Sequence, residues 1–156
     1  MTTGNVIVHR SLASGLPRVG IPQRSSFERW ASAAVIATRR RRVTELSIRL
    51  VDEEEGRALN ARYRKRDYAT NVLSFPAELP PGVKLPLIGD LIICVPVIAS
   101  ESAAQDKALR DHYAHMTVHG VLHLLGYDHE ADTDAGKMEA LETRILATLG
   151  VANPYV

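Results

Sequence analysis

The chain has 156 residues, enough for one domain with a real core, and its 46% hydrophobic and 24% charged residues are those of a globular protein. The single cysteine, Cys94, excludes a disulfide framework within the chain and suits a reducing compartment. No apolar run resembles a secretory leader or a membrane span, since residues 85–99 are broken by Pro86, Gly89, Asp90 and Pro96, so a cytoplasmic protein without membrane contact is expected. The net charge of +1 is unevenly placed. Residues 1–70 carry 14 Lys+Arg against 7 Asp+Glu, and residues 71–156 carry 5 against 11. A polyanionic partner for the basic half fits this asymmetry; so does an ordinary mixed surface once the halves fold together.

Val6 to Val8 reads as a short edge strand, and residues 11–24 as loop. Ser25 or Ser26 is the expected cap of a first helix, with Glu28 in its first turn and Phe27, Trp30 and Ala34 on one face. Arg39 to Arg42 follow at its C-terminal end, where they suit the helix dipole. Val43 to Leu50 alternates as a half-buried strand with Leu46, Ile48 and Leu50 inward. Asp52 and Glu55 form a capping-box-like start to a second helix, which runs into Arg62, Arg64, Lys65 and Arg66. Asn71 to Phe75 is a buried strand stopped by Pro76; a Pro-rich loop precedes the next strand, Leu87 to Val95, interrupted at Gly89-Asp90. Cys94 in that strand reads as an inert buried thiol. Pro96 opens a helix, Asp106 is a candidate cap for the next, and Asp132 or Thr133 starts a last one that stops at Gly150. The order βαβαββααα predicts an α+β fold: a single domain over residues 1–156, a small mixed sheet packed by helices.

The residues that carry chemistry lie near the end of the penultimate helix. His119 and His123 are four apart, which on a helix puts them on one face about 6 Å apart along the axis. Gly126 can take the left-handed conformation that ends a helix and would swing His129 back as a third ligand. Three imidazoles leave a fourth position open on a tetrahedral zinc, as in catalytic sites, so the metal site is expected at the end of a helix and its following turn. The spacing matches His-Glu-x-x-His-x-x-Gly-x-x-His of metzincin proteases, but the position of their general base is Gly120. A peptidase therefore has its scaffold here without its base.

Five segments occur in one order: Asn60-x-x-Tyr63-Arg64, Thr70-Asn71-Val72-Leu73-Ser74-Phe75-Pro76, Gly89-Asp90-Leu91-Ile92, the histidine motif, and Met138-Glu139-x-x-Glu142. Together, over about residues 43–149, they resemble the YbeY family of bacterial metal-dependent endoribonucleases. Residues 1–42 match least distinctively. The resemblance implies one zinc per chain at His119, His123 and His129, and a catalytic or RNA-contacting role for Arg64. It implies single-stranded RNA as substrate, in ribosomal RNA maturation at the small-subunit 3′ end and in ribosome quality control. Many relatives carry Asp where this chain has Asn71, so no acid/base role is assigned there.

Neutral imidazoles leave the charge of the ion uncancelled, which suits a phosphodiester. Arg64 would add a planar clamp on phosphate oxygens; read from the residues alone, a surface arginine at a helix end is the better reading. Arg62, Lys65 and Arg66 read as positioning charges. His115, one turn before His119, is either near the substrate or a partly exposed helix histidine. Asp128 is either a carboxylate behind His129 or a turn residue, and Asp90 a bulge device before a cleft residue. The competing functions are a zinc metallopeptidase and a non-catalytic ribosome-associated RNA-binding protein with structural zinc.

Overall fold

The computed structural model describes residues 5–127 and 132–156. Its elements follow the expected order: β1 (Val6–Leu12), α1 (Arg24–Ala37), β2 (Thr44–Val51), α2 (Glu53–Arg64), β3 (Val72–Pro76), β4 (Leu87–Cys94), α3 (Val95–Ala104), α4 (Leu109–Leu124) and α5 (Asp132–Thr148). The four strands make one mixed sheet in the order β1-β2-β4-β3. β1, β2 and β4 run parallel, and β3 pairs antiparallel with β4 at one edge. The fold is α+β.

The period-two pattern of β2 decides which way the sheet faces. Leu46, Ile48 and Leu50 have no exposed surface, and they join Leu91 and Ile93 of β4 in one core with Phe27, Val121 and Ile145 from the helices. Glu45, Ser47 and Arg49 alternate with them on the other face and stay half-buried. α4 is the central helix, packed against α1, α3, α5, β3 and β4.

β4 is continuous, and the expected interruption is a bulge. Glu45 pairs with Leu87 and Leu46 with Gly89, so Ile88 is the extra residue. Only glycine fits after it. Gly89 has φ +146°, and a Cβ there would lie 2.3 Å from the Phe75 carbonyl oxygen and 2.8 Å from Leu124 Cδ2. Asp90 lies on the exposed face, where it accepts from Ser47 Oγ, so it is a sheet residue and not a cleft residue.

Three expected caps and ends differ. α1 starts before Ser25, at Arg24, with Gln23 as its uncapped N-terminal residue. The Glu28 carboxylate instead accepts from the Val8 amide at 3.1 Å, tying α1 to a β1 that runs on to Leu12. Asp106 sits at φ +53° beyond α3, and α4 begins after Ala108 without a side-chain cap. Asp52 does cap α2, accepting from the Glu55 amide at 2.8 Å. The reciprocal half of that box is missing because Glu55 is bound by Arg49 at 2.7 and 3.0 Å. Cys94 is buried as expected, and burial pushes its thiol pKa up.

Candidate functional site

A cleft of about 780 Å³ opens between the β3 edge and the C-terminal half of α4. Its cationic wall is built by the segment Asn60 to Tyr68. Lys65 takes the left-handed conformation at φ +58° and ends α2. The chain then folds back under buried Asn60, whose Nδ2 donates to the Tyr68 carbonyl at 2.7 Å. Tyr63 packs edge-on against Phe75 of β3 with ring centroids 5.2 Å apart. Arg64 Nη2 donates to the Ser74 carbonyl on the same strand at 3.2 Å. Helix end, loop and strand thus hold Arg64 and Arg66 at the cleft, with Tyr68 beside them. Arg62 instead lies over the Tyr63 ring at 5.2 Å and does not line the cleft.

The opposite wall carries His119 and His123. Their Nε2 atoms are 3.1 Å apart. Two nitrogens each about 2.0–2.1 Å from one tetrahedral ion would be separated by about 3.4 Å, so the pair has the span that a shared ion requires. The chemistry behind His119 fits as well. Its Nδ1 donates to Glu142 Oε1, which assigns the ring proton to Nδ1 and the lone pair to Nε2. α4 then closes with the Gly126 amide on the His123 carbonyl and the Tyr127 amide on the Leu122 carbonyl, each at 3.0 Å. Gly126 has φ +100°, the left-handed turn expected of it. His129 and Asp128 lie outside the described residues. Among the described residues, no group of three His, Cys, Asp or Glu is placed to hold an ion.

Glu142 entered the sequence reading only as the end of the Met138-Glu139-x-x-Glu142 segment and was given no role there. It lies on α5 with no exposed surface. Its signal was its position four residues after Met138 and three before Ile145, on the apolar face of that helix. His115 is buried too, with Nε2 3.4 Å from Glu142 Oε2 and 3.3 Å from the Tyr155 hydroxyl. Burial alone would raise the Glu142 pKa. Contacts with His119, Tyr155 and the nearby His115 outweigh it and hold the carboxyl at about 2. His112, one turn further back, is pushed down by burial despite its 2.8 Å contact with Glu101 Oε1. Asn71 reaches the same carboxylate, donating from Nδ2 at 3.1 and 3.3 Å. An aspartate at position 71 would set two carboxylates against each other there; asparagine supplies the donor.

Gly120 faces away from the cleft chemistry. A Cβ there would lie 2.8 Å from Leu91 Cδ2 on β4, so the glycine lets the helix approach the sheet. A glutamate at this position would begin in the core, which removes the simplest route from this site to a protease.

A family model described as Endoribonuclease YbeY matches residues 20–150. The chain belongs to the YbeY endoribonuclease family. A YbeY endoribonuclease of Stenotrophomonas maltophilia is 57% identical over 99% of this chain and 98% of its own. One of Xanthomonas campestris pv. campestris is 55% identical over the same shares. The solution structure of TM1509 from Thermotoga maritima shares the fold at TM-score 0.59 and 21% identity, covering 90% of this chain and 87% of that one. No helix among the described residues is long and apolar enough to cross a membrane.

Proposed function

We propose that this YbeY-family chain is a zinc-dependent endoribonuclease that cuts single-stranded RNA. We further propose that it matures ribosomal RNA at the small-subunit 3′ end and serves ribosome quality control in the cytoplasm. One observation carries the nuclease reading: the cleft joins the converging imidazole pair to Arg64 and Arg66, and no carboxylate lines it among the described residues. That is a lining for a phosphodiester, and among the described residues it holds no carboxylate to act as a peptidase's general base.

His119, His123 and, from the sequence, His129 would hold the ion. When bound, zinc polarises a phosphoryl oxygen and lowers the pKa of a bound water toward 7. Arg64 grips the phosphate oxygens with the donors it does not spend on Ser74, and its charge persists at any relevant pH. Arg66 adds to the field that draws the strand in. Tyr68 and Tyr127 are 50% and 37% exposed at the cleft and offer faces to unpaired bases. A duplex keeps its bases stacked on each other, which favours single strands.

The test is turnover of labelled single-stranded RNA, duplex RNA and an unstructured peptide by zinc-loaded protein. Cleavage of the first alone is expected. Chelation is expected to stop that cleavage while circular dichroism stays native, with Tm falling only by the lost binding energy of the ion. Unfolding on chelation would favour the structural-zinc reading, and peptide cleavage the metallopeptidase.

Tyr127→Ala is expected to weaken single-stranded RNA binding by about 1–3 kcal/mol, the worth of one stacked base. Tyr127→Phe should bind almost normally. Equal affinities of the alanine variant and the parent, measured by fluorescence anisotropy, would remove Tyr127 from the RNA path.

A further inference from the structure

Residues 151–156 lie beyond the span matched by the family model, yet they reach the histidine cluster. Lys107 Nζ donates to the Pro154 carbonyl at 3.2 Å, and the Tyr155 amide donates to Asn153 Oδ1 at 2.8 Å. So pinned, the Tyr155 ring stands edge-on to His115 with centroids 5.5 Å apart, and its hydroxyl donates to Glu142 Oε2. The other oxygen of that carboxylate, Oε1, is the one bound to His119 Nδ1.

A fully buried carboxylate must have donors on both oxygens, or it turns toward whichever donor is left. His115 shares the Oε2 side but cannot replace the tyrosine in its present place. Its Nε2 stands 3.4 Å from Oε2, beyond good hydrogen-bond length, and closer to the hydroxyl at 3.3 Å. Its Nδ1 is buried without a hydrogen-bond partner among the described residues. An unmatched donor there would be costly, which puts the His115 proton on Nε2, pointing at Tyr155 and Glu142. Every proton in the cluster then has a direction: His115 to Tyr155 and Glu142, Tyr155 to Glu142, and His119 to Glu142.

We propose that Tyr155 is a positioning residue for His119: by occupying Glu142 Oε2 it fixes the carboxylate so that Oε1 holds the Nδ1–H tautomer of His119, with Nε2 presented to the cleft. Its value to the reaction rests on the reading of His119 as a metal ligand. Tyr155 itself touches neither substrate nor reacting atoms. Tyr155→Phe deletes the hydroxyl and keeps the ring that packs on His115, so it takes one donor from Glu142 while leaving the tail's packing in place.

The experiment records long-range proton–nitrogen NMR spectra of the histidines in metal-free protein at mildly alkaline pH. Zinc affinity is measured in parallel. The parent should show His119 as a single Nδ1–H tautomer. Tyr155→Phe should show mixed tautomers and bind zinc about tenfold more weakly, the low end of what a lost outer partner of a ligand costs. With zinc saturating, KM for RNA should stay unchanged, because the tyrosine is not in the cleft. A pure Nδ1–H tautomer with undiminished zinc affinity in Tyr155→Phe would overturn the proposal and reduce Tyr155 to tail packing. Zinc failing to bind the parent would sink the metal reading alone, since the tautomer spectrum judges Tyr155 without any ion present.

Discussion

His123→Ala is expected to bring RNA cleavage to background while leaving a folded protein. His123 supplies one of the two Nε2 atoms that stand 3.1 Å apart at the cleft. Without it His119 and, from the sequence, His129 would remain, and two imidazoles hold zinc far more weakly than three. A bound ion contributes several kcal/mol of charge stabilisation in reactions of this class, so a fall of about a thousandfold or more is expected. His123 is the cleaner choice of the pair. His119 also donates to the fully buried Glu142, so His119→Ala would strip a hydrogen bond from a buried charge and cost stability as well as activity. The measurements are zinc per chain by elemental analysis, cleavage rate and Tm. A His123→Ala protein that keeps stoichiometric zinc and full cleavage would dissolve the site.

Arg64→Ala should cost about 2–4 kcal/mol of transition-state stabilisation, by analogy with losing one preorganised donor, or a hundredfold or more in rate. The geometry makes this a sharp test. Arg64 closes α2, beside the left-handed turn at Lys65, and is moored to the Ser74 carbonyl at 3.2 Å, so its fork is oriented before substrate arrives. Arg64→Lys returns the charge without the planar fork and should rescue only in part. Zinc content should not change in either variant. Neutralising Arg39 to Arg42 should at most weaken RNA binding and flatten its salt dependence. Arg40 there is already engaged with the Thr44 hydroxyl at 2.8 Å, a turn contact remote in sequence from the cleft-lining residues. Near-normal cleavage by Arg64→Ala would return it to the class of surface arginines.

The order of elements was legible because each segment carried its own period: alternation in β2, helical spacing in α1 and α5, and proline at the start of α3. Caps were less legible. Two serines near the start of α1 looked like caps, but Glu28 binding the β1 amide fixes where that helix lies, a contact twenty residues away in sequence. Gly89 was visible as a break, whereas its cause, the Phe75 carbonyl on the neighbouring strand, belongs to the sheet. At the site, the 119/123 pair and the turn at Gly126 followed from spacing. Glu142 was within reach as an acidic residue on an apolar face. Tyr155 was not, because nothing in the pattern of the last six residues says which carboxylate their hydroxyl will meet.

The histidine pair rides on α4, whose other sides are already locked into the core by α1, α3, α5 and the sheet. Two donors one turn apart on such a helix keep their separation with or without an ion between them. Under the zinc proposal, metallation would therefore follow folding and not drive it, unlike the small zinc modules that collapse around their ion. A histidine pair set in advance would have no refolding step with which to discriminate among ions. Imidazole binds copper more tightly than zinc and accepts nickel readily. On that reading, occupancy in the cell would be decided by which ion is free at the time of synthesis, and protein purified over an immobilised-nickel resin would report the column as much as the organism.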